Sequence, residues 1–193
     1  MLRALYDWVL HQAGRPYALW TLAAVSFIES SVFPIPPDVL LIPMILAAPH
    51  RAWFIAGVCT LASVLGGAFG YFIGYGLFET LGQPVLAFYG KAEAFETLAA
   101  SYNQQGFWAV LIAGVTPFPY KVITIFSGAT GLNFALFMAT SILARGLRFF
   151  VIAALLNRYG DAAREFIERR LGLVATVSIA LLIGGFAVVR YAL

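Results

Sequence analysis

At 193 residues, 62% hydrophobic and only 11% charged, with a mean hydropathy of +0.88, the chain is far more apolar than a soluble domain, which runs about 45–50% apolar and about 25% charged. The net charge of +3 is carried by so few ionisable residues that it reads as loop bias and excludes a nucleic-acid-binding patch. The lone Cys59 excludes an internal disulfide and a cysteine-based zinc site, which leaves an integral membrane protein of one compact domain.

Residues 1–16 form the first unit. Leu5, Trp8, Val9 and Gln12 share one side at helical spacing, so an interfacial helix is expected over 3–15. Asp7, Trp8 and His11 argue against a cleavable signal peptide there. A core unit spans 17–172. Its first apolar run is broken at Phe33-Pro34-Ile35-Pro36-Pro37-Asp38, just after Glu29. Proline removes a backbone donor and clashes with the preceding turn, so no regular helix passes Pro34, Pro36 and Pro37. Residues 17–33 are apolar and run straight into the break, and the ten apolar positions of 39–48 cover only about half of a ~30 Å hydrocarbon core. Residues 17–48 therefore read as a helical hairpin that enters and leaves on one side.

Residues 52–78 are long enough to cross, and Gly66, Gly70 and Gly74 form a small-residue seam for close helix packing. A surface helix is expected over 91–105, with Phe95, Leu98, Ala99 and Tyr102 on one face. Residues 107–131 repeat the hairpin around Pro117 and Pro119. Residues 133–156 cross, residues 159–171 make an amphipathic surface helix rich in Arg and Glu, and residues 173–193 supply a final span. Pro34 and Pro117, Pro36 and Pro119, and Asp38 and Lys121 are each 83 positions apart. With a cytoplasmic N-terminus, Arg3, Arg15, Arg51, Arg158, Arg164, Arg169 and Arg170 lie inside, against Lys91 and Arg190 outside, which satisfies the positive-inside bias. The fold class expected is thus an all-α integral membrane protein, an inverted repeat of re-entrant hairpin plus transmembrane helix with a final transmembrane helix. The alternative, in which every segment spans, needs spans of about ten to sixteen residues, well short of the usual ~20.

Five ionisable residues fall at membrane depth: Glu29, Asp38, Lys121, Arg145 and Arg148. Each costs at least a few kcal/mol there unless paired or wet. Two acids do not neutralise three bases, and a surplus positive charge beside two broken helices suits a ligand carrying phosphate. Helix N-termini at Val39 and Val122 are expected to add oriented N–H donors, and Tyr120, beside Lys121, to add a headgroup contact. No HExxH, GxSxG or P-loop occurs. Glu29 and Asp38 as a catalytic acid pair lack a nucleophile or metal set, so no enzyme activity, cofactor or metal is expected.

Glu29-Ser-Ser-Val-Phe-Pro-Ile-Pro-Pro-Asp38, the Gly66–Gly74 seam, Thr116-Pro-Phe-Pro-Tyr-Lys121 with Ser127-Gly128, and Arg145-Gly-Leu-Arg148 together resemble the DedA family, in its small YqaA-like branch, also called the VTT or SNARE-associated Golgi domain. The resemblance covers roughly residues 17–170. It implies two facing re-entrant hairpins and movement of lipid between leaflets, such as undecaprenyl phosphate or a phospholipid, in support of envelope integrity. By position, Glu29 and Asp38 match the family's acidic residues, Lys121 stands where many members carry arginine, and Arg145 or Arg148 matches the basic residue of the following helix. The sequence departs from the pattern at Gly114, Val115 and Thr116, where many members carry an arginine before the second proline motif.

The reading that follows is a multi-pass transporter of the bacterial inner membrane, acting like a flippase or scramblase. Lys121, Arg145, Arg148 and Tyr120 bind an anionic headgroup. Glu29 and Asp38 pair with the bases or carry a coupling proton. Membrane lipids are the expected partners, a homo-oligomer is allowed, and nucleic acid is excluded. Two rival readings are a proton-coupled transporter of a small solute or ion, and an enzyme acting on lipid phosphate.

Overall fold

The computed structural model describes residues 17–32, 36–116 and 118–169, with backbone alone for 161–169. All regular structure among them is helical. The first run gives α1 (Ala18–Ser31) and α2 (Asp38–Ala47), and a 3-10 turn at Pro49–Arg51 leads into α3 (Ala52–Leu77). A π turn (Phe78–Gly82) carries that helix on into α4 (Gln83–Phe88), and α5 is Ala92–Gln104. The second run gives α6 (Gly106–Val115), α7 (Tyr120–Ala129) and α8 (Phe134–Arg169), which kinks at Tyr159. The interfacial helix expected over 3–15, Pro34, Pro117 and the final span over 173–193 lie outside the described residues.

Local chemistry explains the breaks. Thr116 is extended (φ −79, ψ 166), as a residue before proline must be. Pro37 precedes α2 at φ −65, a value that proline imposes and that a first turn accepts. Pro43 lies inside α2, where it leaves the Val39 carbonyl without its usual donor. At ten residues each, α2, α6 and α7 are about 15 Å long, half of a ~30 Å hydrocarbon core. Among the described residues, two helices are long and apolar enough to cross a membrane, Pro49–Phe88 and Phe134–Gly160. The first runs past residue 78, where the sequence places its end, because the π turn prolongs it.

The packing is reciprocal. α3 packs on α1 and on α7, whereas α8 packs on α6 and on α2, and α3 and α8 pack on each other. Ile55 and Cys59 of α3 share an apolar cluster with Ala153 and Phe149 of α8, and Tyr71 of α3 shares another with Phe137 of α8. α3 and α8 therefore run antiparallel. Between the two clusters both helices turn polar, with Ser63 on one and Ser141 and Arg145 on the other, all buried.

The glycine seam makes the close approaches. A Cβ on Gly66 would strike the Phe27 carbonyl of α1, and one on Gly74 the Ile125 carbonyl of α7. Gly70 lies between Ser30 and Thr124, so α3 is wedged between α1 and α7. Gly57 and Gly76 have open space around them. Gly66→Ala and Gly74→Ala should each lower stability by about 1–3 kcal/mol, the usual cost of overpacking. Gly57→Ala and Gly76→Ala should be neutral or stabilising by up to about 1 kcal/mol. Thermal unfolding of the four variants in detergent checks the contrast.

Candidate functional site

Four broken helix ends meet at the middle of α8. Glu29 sits in the last turn of α1, Asp38 opens α2, Thr116 follows α6, and Lys121 lies in the first turn of α7. Arg145 and Arg148, three residues apart and so on one face of α8, reach three of the four.

Arg145 is 1% exposed. A buried guanidinium costs several kcal/mol unless its donors and charge are met. Nη2 donates to Glu29 Oε2 at 2.9 Å, and Nε donates to Ser63 Oγ at 2.6 Å. Ser30 Oγ lies 2.7 Å from Ser63 Oγ and donates to Glu29 Oε2 at 3.1 Å. The rings of Tyr120 and Phe149 each stand 4.7 Å from the guanidinium carbon, close enough for cation–π attraction. The planar, permanently charged fork of arginine suits this cage as a lysine would not.

Arg148 is less enclosed. Nη2 meets Asp38 Oδ2 at 2.6 Å, and Nη1 donates to the Thr116 carbonyl at 2.6 Å. It thus ties the start of α2 to the end of α6. The other Asp38 oxygen, Oδ1, is buried and has no hydrogen-bond partner among the described residues. Lys121 makes the converse tie, as Nζ donates to the Val32 carbonyl at 3.1 Å, across to the end of α1. Both cations sit at helix C-termini, where orphan carbonyls and the helix dipole favour positive charge.

This geometry distributes the five charges unequally. Both arginines have a carboxylate. Lys121, half-buried, has a carbonyl and no ion pair among the described residues. Two expectations are corrected. Tyr120 is fully buried, and its hydroxyl donates to Ser141, because the first turn of α7 faces α8; it walls the Arg145 cage and presents no surface to a headgroup. The N–H groups of Val39 and Val122 are not free donors, since the turn carbonyls of Pro36 and Pro119 accept them at 3.3 and 3.0 Å. Pro36 and Pro119 are half-buried at the breaks, and Pro37 is buried.

Sequence reasoning missed Ser63, Ser141 and Phe149. A faint signal existed for the first. Ser26 and Ser30 on α1 bond Cys59 and Ser63 on α3, pairs at one constant offset, as parallel neighbouring helices require. Thr124 links α7 to the same layer by donating to the Ser30 carbonyl at 3.0 Å.

Residues 35–158 match the family model of the VTT domain. An uncharacterized protein of Haemophilus influenzae is 30% identical over 186 residues, covering 96% of this chain and 96% of its own. An uncharacterized protein of Histophilus somni is 38% identical over 168 residues, covering 85% of this chain and 87% of its own. No solved structure matches.

The cage has an energetic signature. Glu29→Ala strands the Arg145 charge and should cost about 3–5 kcal/mol of stability. Glu29→Met combined with Arg145→Met should recover most of that loss, since a buried pair replaced by apolar groups of similar volume is often neutral. Chemical unfolding in detergent of the single and paired variants measures the coupling.

Proposed function

This chain belongs to the VTT-domain family, the DedA family of membrane proteins, and from that premise we propose that it moves an anionic lipid between the leaflets of a bacterial inner membrane. One observation carries the reading. Lys121, at the meeting point of the broken helices, has no carboxylate partner among the described residues and holds only the Val32 carbonyl. A lipid phosphate offers that ammonium a stronger, charge-assisted partner. Undecaprenyl phosphate and phospholipids both present one.

The assigned roles differ from residue to residue. Lys121 is the first contact of the headgroup. Arg148, bound to Asp38 and partly exposed, is the second, and it can exchange Asp38 for phosphate. Arg145 and Glu29 hold the cage closed behind them. Asp38, one of whose oxygens has no hydrogen-bond partner among the described residues, is the carboxyl placed to take a coupling proton as Arg148 turns to the ligand. The acyl or prenyl chain stays in lipid throughout.

The architecture in the membrane is part of the same proposal. α1 with α2 and α6 with α7 are re-entrant hairpins of one inverted repeat, and α3 and α8 are the crossing helices. The antiparallel run of α3 and α8, and the reciprocal packing of each on its own first arm and the other repeat's second arm, support it. So do the exposed apolar side chains Leu61, Leu65, Phe69 and Phe72 on α3 and Leu143, Leu147 and Val151 on α8, which suit contact with lipid.

Reconstitution in liposomes with labelled lipid tests the reading. Lys121→Ala should slow lipid movement at least about tenfold, the cost of one lost charge-assisted contact, whereas Lys91→Ala, exposed beside α5, should leave it unchanged. Equal rates in wild type and Lys121→Ala would remove Lys121 from the mechanism. Wild-type rates no faster than protein-free liposomes would turn the reading toward a water-soluble anionic substrate.

A further inference from the structure

A cavity open to the surface lies away from the broken helices. It has a volume of about 400 Å³ and is bounded by the π turn, α4, α5 and the far end of α7. That volume falls within the range of small-molecule sites, about 300–1,000 Å³. α7 is ten residues long, so the cavity and Lys121 lie at opposite ends of about 15 Å of helix. The inference below does not rest on the lipid-transport reading.

The walls have a definite chemistry. Phe78 and Phe95 stack with centroids 4.5 Å apart and planes 25° from parallel, and with Leu86 they make an apolar side. The π turn creates that side. At Gly82 a Cβ would strike the Phe78 ring, so the glycine lets the ring fold back over the turn. π turns within helices recur at functional positions. The polar side is Gln83, Glu96 and Thr130. Glu96 carries the one charge on the lining, and it is negative. Behind the lining, Asn103 bonds Thr130 without itself bordering the cavity. Asn103 Nδ2 donates to the Thr130 carbonyl at 2.8 Å, and Asn103 Oδ1 is buried with no partner among the described residues. The segment from 78 to 105 carries Glu79, Glu93 and Glu96 against Lys91, a net negative stretch on a chain of net positive charge.

We infer that this cavity binds an amphiphilic ammonium: a cationic amine with an apolar chain. Carboxylate and acceptors call for a cation with N–H donors, and the stacked phenylalanines add cation–π attraction. The apolar chain is called for by Leu86 and the aromatic wall, and by Leu81, Val85 and Phe88, which the same elbow leaves exposed. An anionic amphiphile would meet Glu96 with like charge.

Calorimetric titration of the full chain in maltoside micelles, corrected for empty micelles, tests this with decylammonium and decyl sulfate. Decylammonium should bind and decyl sulfate should not. Glu96→Gln, at an exposed position that does not threaten folding, should weaken decylammonium about fivefold, as expected for a rim charge. Ala99→Phe, which fills the cavity, should abolish binding while circular dichroism stays unchanged. Equal binding of the two probes, or decylammonium binding unaltered by Glu96→Gln, would overturn the inference. Nanodisc arms identify the source. Phosphatidylethanolamine competing with decylammonium marks the occupant as a lipid headgroup. Competition absent both there and in phosphatidylglycerol nanodiscs marks it as a free amphiphilic amine, and both results uphold the site.

Discussion

A helix that stops inside an apolar medium leaves carbonyls that water does not reach, and something must meet them. In the membrane architecture proposed for this protein, the partners are cations borne by other parts of the chain. Lys121 meets the end of α1, and Arg148 meets the end of α6. The Lys121 tie spans from the second apolar run to the first, and Arg148, while meeting the end of α6 in its own run, crosses to the first through Asp38. The fold is held at its centre by electrostatics that each half supplies to the other.

That arrangement depends on backbone proximity. Gly66, Gly70 and Gly74 bring α3 against the carbonyls of α1 and α7, at separations no larger side chain permits. The same approach sets Ser63 beside Ser30 and beneath Arg145. A polar layer sandwiched by two apolar clusters results. In such a layer every group is either satisfied, and then rigid, or unsatisfied, and then costly. Arg145 Nε and Nη2, Glu29 Oε2, and the hydroxyls of Ser30 and Ser63 are all bonded. Among the described residues, Asp38 Oδ1 has no hydrogen-bond partner and the ammonium of Lys121 has no ion pair, which leaves the layer open to chemistry there.

Function on this reading divides by burial. The inner arginine with its carboxylate is a fixed strut. The outer arginine, its aspartate and the lysine form the exchangeable edge, where an incoming anion has partners to displace instead of a desolvation cost to meet alone. The acceptor-rich cavity by the π turn has the opposite preference, and its distance along α7 keeps the two chemistries apart.

Much of this was legible in the chain itself. Composition specified a membrane protein, the two proline motifs at one fixed spacing marked the interruptions, and the quoted motifs pointed to the family that residues 35–158 match. Helical periodicity placed the glycines on one line. What linear order does not carry is rotation about each helix axis. Two acids and two arginines admit either pairing, and only the packing of α3 on both α1 and α8, and of α8 on α2, assigned Arg145 to Glu29 and Arg148 to Asp38. The same rotation turned Tyr120 inward and made Ser63 a ligand of a guanidinium. Hydrophobicity reports how deep a residue sits, because transfer energy depends on its side chain. Which neighbour it meets depends on helix–helix contacts that the tertiary structure alone decides.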